Sequence, residues 1–199
     1  MCDAALFAED LGHEYMLRPL VERCFRERNI TVTVRVYNAR GGRGKVITEL
    51  GQFIRDIRVG QIKVPDVVVT ALDSNCTTYR NRRREVERVV GDLSIKTVYA
   101  IPDPHIERWM MLDSEAFKKV LGKGCRPPRG KCDRDRFKKE LARAITEADK
   151  KPLIGGFEYA EDLVYHMDFA RMGKEDRSFK CFLDELDSKI RQMNEGSGS

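Results

Sequence analysis

The chain is predicted to be an α/β protein with a central, mostly parallel sheet flanked by helices, followed by a C-terminal helical appendage. Three observations predict it. Short apolar runs alternate with segments of helical spacing from residue 4 to about residue 102. One of those runs, within VPDVVVTALD, is almost unbroken valine, which suits a strand covered on both faces. Beyond residue 121 only helical spacing recurs.

The elements follow in order. Ala4 to Ala8 is a short apolar run, read as a buried first strand. Glu14 to Arg28 carries Met16, Leu17, Leu20, Val21, Cys24 and Phe25 at helical spacing. Pro19 inside it predicts a late start or a bend. Ile30 to Tyr37 alternates β-branched residues with Thr and Arg, a strand pattern. NARGGRGK, Asn38 to Lys45, is a glycine-rich loop, and Val46 to about Arg58 is a helix with one apolar face. Val64 to Asp73 is the third strand, with Pro65 near its start, where proline is tolerated. Thr77 or Thr78 can cap a helix reaching Val90. Ile95 to Pro102 is the fourth strand. Ile106 to Leu121 reads as helix, and a basic break rich in proline and glycine spans Gly122 to Asp135. Helical patterns then cover Arg136 to Ala148, Glu158 to Met172 and Ser178 to Met193. The expected division is an α/β core at 1–121, a helical extension at 122–195 and a linker or tag scar at 196–199.

Composition narrows the class. A chain of 199 residues with 41% hydrophobic and 35% charged residues is globular, not disordered. No apolar run approaches the roughly 20 residues that span a bilayer. The N-terminus lacks the basic region of a secretory signal, so a cytoplasmic, reducing location and free thiols are expected for the six cysteines. No CxxC pair exists, and Cys125 and Cys132 have no nearby His to complete a zinc pattern. The net charge of +5 permits a nucleic-acid partner without requiring one.

Ligands of open α/β sheets bind beyond the carboxyl ends of the strands. Acidic groups fall there. Glu9 and Asp10 follow strand one, with Glu14 a turn later; Asp73 follows strand three; Asp103, His105 and Glu107 follow strand four. Oxygen ligands converging from separate strands suit Mg²⁺, or Mn²⁺, in a phosphoryl-transfer site. Each acid taken alone reads as an ordinary helix cap or solvated turn; the set together reads as a site.

The run LFAED-LGHEYMLRPLV resembles the first strand and helix of toprim domains, where a glutamate follows strand one. VVVTALDSN resembles their later strand, which ends in an Asp-x-Asp pair. YAIPDPHIERWMMLD resembles a segment of toprim-like proteins from bacterial defence operons. The resemblance covers roughly residues 4 to 121. It implies a toprim-like Rossmannoid core and a metal-dependent nuclease of the overcoming-lysogenization-defect type, often paired with an ABC-type ATPase. It carries the family glutamate to Glu9 or Asp10 and the first aspartate to Asp73. The second aspartate falls on Asn75, which offers a neutral oxygen and no charge. Asp103 and Glu107 can compensate, or the site is degenerate. On this resemblance Glu9, Asp10, Asp73, Asn75 and Asp103 are the candidate metal ligands. Glu14 is a further acid of the site, and His105 transfers a proton or orients a ligand.

Two basic features suit a phosphate backbone: Arg40, Arg43 and Lys45 in the glycine-rich loop, and Arg80, Arg82, Arg83, Arg84 and Arg88 in YRNRRREVER. GGRGK lacks the spacing of a Walker A loop. A third basic stretch, Lys123 to Arg136, reads as a loop. Trp109, Phe117, Phe169, Phe179 and Phe182 read as core or interface anchors. The competing functional class is a catalytically degenerate module that binds a partner protein or nucleic acid. The sequence leaves a homo-oligomer open and gives no sign of a membrane partner.

Overall fold

The structure, a computed structural model, describes residues 1–38, 41–75, 77–128 and 135–196. Four strands, β1 (Cys2–Ala8), β2 (Val32–Asn38), β3 (Val67–Ala71) and β4 (Thr97–Ala100), form one sheet in the order β2-β1-β3-β4. Every neighbouring pair is parallel. This is the Rossmann-like α/β architecture the strand–helix alternation predicts. Because β2 pairs on one side of β1 and β3 on the other, the connections diverge between β1 and β3, where a crevice opens. Register decides what reaches that crevice. Ala8 pairs with Ala71, and Ala71 pairs with Ala100. The residues after β1, β3 and β4 therefore leave the sheet at one level.

The apolar strands are covered on both faces because successive side chains point to opposite sides. Ala4 and Leu6 of β1 join Val67, Val69, Val98 and Ala100 in one buried cluster. Ala5 and Phe7 join Val68, Leu72, Tyr99 and Ile101 in the other. Helices α2 (Arg43–Arg58) and α3 (Tyr79–Val90) cover the second face through Val46, Leu50, Phe53, Val86 and Val90. The first face carries α1 (Leu11–Arg26) and every later helix.

Helix α1 starts earlier than expected. Asp10 caps it by accepting the His13 N–H at 3.0 Å, and the helix runs through Pro19 to Arg26. The buried stripe Met16, Leu17, Leu20, Val21 and Phe25 holds the helix through the lost backbone donor.

The segment expected as one helix from Ile106 to Leu121 is two: α4 (Ile106–Met110) and α5 (Ser114–Leu121). Asp113 ends the first by capping the second, accepting the N–H groups of Glu115 and Ala116. After α6 (Arg136–Thr146), the expected helix 158–172 becomes a 3₁₀ turn (Phe157–Tyr159), α7 (Ala160–His166) and α8 (Phe169–Glu175), the last capped by Asp168. The final helix, α9 (Arg177–Gly196), takes in the first residue of the expected scar.

These later helices finish the core. Trp109 and Phe117 are fully buried, as are Phe179 and Phe182, and Phe169 packs partly buried beside them. Trp109 meets Phe179 edge-on at 5.1 Å. Helix α9 also covers the exposed edge of β4, where Glu185 accepts the Tyr99 N–H at 3.0 Å. Cys2, Cys24, Cys125 and Cys181 are free thiols; Cys76 and Cys132 lie outside the described residues. Among the described residues no helix is long and apolar enough to cross a membrane.

Candidate metal centre

At the shared carboxyl edge a cavity of about 560 Å³ is lined by the residues after β1, β3 and β4. Of the residues predicted from sequence, Glu9, Asp10, Asp73, Asn75, His105 and Glu107 line it. Glu14 instead lines a separate depression with Tyr15, Arg18 and Glu22. Asp103 is not in the lining; its carboxylate accepts from the Ser74 hydroxyl at 3.0 Å, and its N–H donates to Ser178 Oγ. Neither residue is in the lining of this cavity.

Asp73 is the hub. Its Oδ1 accepts the Ile106 N–H at 2.9 Å and lies 3.1 Å from His13 Nε2; its Oδ2 lies 2.9 Å from His105 Nδ1. Its own N–H donates to Glu9 Oε2, and its carbonyl accepts from Arg82 Nε. A carboxylate has about four lone-pair positions. Three are engaged here, which leaves one.

His13 bridges two acids: Nδ1 to Asp10 at 2.9 Å and Nε2 to Asp73. Burial opposes a charge on this ring, but Asp73 and the hydrogen bonds to both acids outweigh it and hold its pKa well above the ordinary value. Burial likewise pushes Asp73 up, and the His13 charge and the His105 hydrogen bond reverse that and hold it low. Asp10 is also held low, the His13 hydrogen bond overcoming the effect of burial. His105 is raised, its bond to Asp73 overcoming burial. Glu107 is raised by burial first and then by Asp73. Glu9 is raised by burial, the Asp73 charge adding to it against the pull of His13.

Among the described residues, three buried side-chain polar atoms lack a hydrogen-bond partner: Thr70 Oγ1, His105 Nε2 and Glu107 Oε2. Leaving such a group unpaired costs roughly 1–3 kcal/mol. Two of the three belong to one cluster. Asp73, His105 and Glu107, each buried, bring ligand atoms within 4.8 Å of one another. This Asp/His/Glu group can hold a metal ion. The contact of Asp73 with Nδ1 fixes the His105 ring in one orientation.

The other expected ligands have protein partners of their own. Glu9 is tied to the Asp73 backbone, and Asp10 to the helix cap and His13. Asn75 is exposed at φ +47°, a left-handed conformation that asparagine tolerates, and its N–H donates to the Pro104 carbonyl at 3.2 Å. The residue at this position makes a turn.

Sequence reasoning missed His13, Lys138 and the wall Ile154, Gly155 and Phe157. His13 had a legible signal: it extends the buried stripe of α1 one turn toward the N-terminus, where an apolar residue would be expected. Lys138 and the wall had none.

The basic candidates divide. Arg40 lies outside the described residues. Arg43 pairs with Glu85 at 2.9 Å, and Lys45 stands 3.7 Å from Glu49. Arg82 is buried under Asp73, and Arg83 binds Glu87 and Glu185 and lies over the Tyr99 ring. Arg80, Arg84 and Arg88 remain exposed. Of the third basic stretch, residues 129–134 lie outside the described residues. No protein-family model matches the chain, and no curated protein or solved structure matches it.

Proposed function

We propose that the chain is a divalent-metal-dependent phosphodiesterase, a nuclease acting on DNA or RNA, with Asp73, His105 and Glu107 as the metal ligands. The observation that carries this reading is the buried cluster of Asp73, His105 and Glu107, whose ligand atoms lie within 4.8 Å of one another. Two carboxylates and one imidazole favour Mn²⁺ ahead of Mg²⁺, because magnesium prefers oxygen alone. Such an ion supplies Lewis-acid polarisation of a phosphoryl oxygen and activation of water.

The remaining residues take defined roles. His13 and the Ile106 N–H hold Asp73 in one orientation. Glu9 lines the cavity with a carboxyl held above its ordinary range by burial, which suits it to give a proton to a leaving oxygen. Lys138 adds a cation at the rim for a phosphate. The toprim-like resemblance agrees with acids at these strand ends, and it adds an ABC-type ATPase as the protein partner.

The test is cleavage of single- and double-stranded DNA and RNA with Mg²⁺ or Mn²⁺. Wild type should cut with Mn²⁺, and Glu107→Gln should lose roughly a hundredfold or more in rate. No cleavage with either ion, or cleavage that persists in chelator, would overturn the reading and favour a binding module.

A further inference from the structure

The cavity has two unlike kinds of lining. One is the acid and imidazole cluster with Lys138. The other is apolar: Leu11, Ile154 and Phe157. Leu11 and Ile154 are 38% and 39% exposed, and the neighbouring Leu153 is 80% exposed. A large aliphatic side chain is ordinary on a surface when it stands singly. Here two line one cavity, and a third adjoins them in the chain.

The apolar wall is also built rather than loose. Glu158 accepts three backbone N–H groups of its own loop, from Leu153, Ile154 and Gly156, at 2.7, 2.9 and 3.1 Å. Gly156 sits at φ +102°, and a side chain there would meet Ile145 at 2.1 Å, so the loop is seated directly on α6. Phe157 lies over the first turn of α1, where a Cβ on Gly12 would come within 2.8 Å of its ring. The ring reaches the cavity edge because residue 12 has no side chain. Packing and hydrogen bonds therefore hold the loop that brings Ile154 and Phe157 to the cavity of the metal ligands.

A cavity lined by both apolar and phosphate-directed groups matches a nucleoside phosphate, whose flat base and anion need the two kinds of surface. A volume of about 560 Å³ suits one such unit and not a paired duplex. Resting on the metal-dependent phosphodiesterase reading, we infer that the cavity takes a single unpaired nucleotide, its base against Leu11, Ile154 and Phe157 and its phosphate toward His105, Glu107 and Lys138.

The test is calorimetric binding of thymidine 5′-monophosphate and of methyl phosphate, both with Mn²⁺ present. The first should bind at least about thirtyfold tighter, the gain of one well-seated base. Ile154→Ser and Leu11→Ser alter exposed side chains, so folding should survive, as circular dichroism would show. Each should cut the preference about three- to tenfold. A ratio near one in wild type, a ratio unmoved by both variants, or no nucleotide binding at all would overturn the inference. Mn²⁺ binding without nucleotide preference removes this subsite alone; nucleotide preference without Mn²⁺ binding keeps it and removes the metal centre.

Discussion

Two sets of buried acids lie in the first-face half of this molecule, and they are finished differently. Asp113 is fully buried between α4 and α5. Its Oδ1 accepts from the Glu115 and Ala116 N–H groups and from Arg171, and its Oδ2 from the Asp168 N–H. Asp176, before α9, accepts from Ser178 Oγ, the Phe179 N–H and Arg108. Around Asp73 the same kind of network stops short. It leaves His105 Nε2 and Glu107 Oε2 unpartnered at the cavity. Complete satisfaction marks a structural staple that joins helices. Incomplete satisfaction at a cavity wall marks a place held open for a ligand.

The contrast can be broken most strongly at the staple. Asp113→Ala leaves three backbone N–H groups without their acceptor and Arg171 with Asp168 alone, and should cost about 3–5 kcal/mol in urea unfolding. It should leave Mn²⁺ affinity of the folded protein within about twofold. Equal loss of both would erase the distinction between the two networks.

His13→Asn is next, at about 3 kcal/mol measured in chelator, because it removes the cation between Asp10 and Asp73. The pH dependence is specific. His13 has a raised folded pKa, so its contribution is whole below the ordinary value of 6.5 and fades as pH rises through the raised value. Asp73 has a lowered folded pKa, so its contribution is whole above the ordinary 3.8 and is lost as pH falls through the depressed value. The gap between wild type and variant should be widest from about pH 4 to 6.5 and narrow above that range. A gap that grew from pH 7 to 9 would contradict the buried imidazolium.

Glu107→Gln should behave oppositely to the staple variant. Burial disfavours this carboxylate, so removing its charge should raise Tm in chelator by about 2–4 °C while abolishing any Mn²⁺-dependent rise in Tm. A drop in Tm like that of Asp113→Ala would make Glu107 another staple. The smallest effect is expected from Arg83→Ala, about 1 kcal/mol, from lost contact with Glu87, Glu185 and the Tyr99 ring. Its nucleic-acid affinity should change less than that of an Arg84→Ala variant, because Arg84 is the more exposed on α3. The reverse order would return Arg83 to the binding strip predicted from sequence.

The sheet was legible because its signals are local. Valine runs and strand–helix alternation placed all four strands, and the same alternation set Glu9, Asp73, His105 and Glu107 at strand ends that parallel register brings level. What escaped depends on distance in the chain. Asp113 reads as one more polar residue until its position shows it capping a second helix. Phe157 reaches the cavity only because Gly12, 145 residues earlier, makes room. His13 follows the helical stripe, but nothing local distinguishes a buried imidazolium from an exposed ring; that depends on Asp73, sixty residues away. Asn75 shows the limit of carrying a pattern across by position, since its left-handed backbone serves the turn.

The most direct measurement is an anomalous-scattering map of crystals grown with Mn²⁺. The account predicts one strong peak in contact with Asp73, His105 and Glu107, absent in Glu107→Gln crystals. A peak seated only between Glu9 and Asp10, or no peak at the cavity at saturating Mn²⁺, would contradict it.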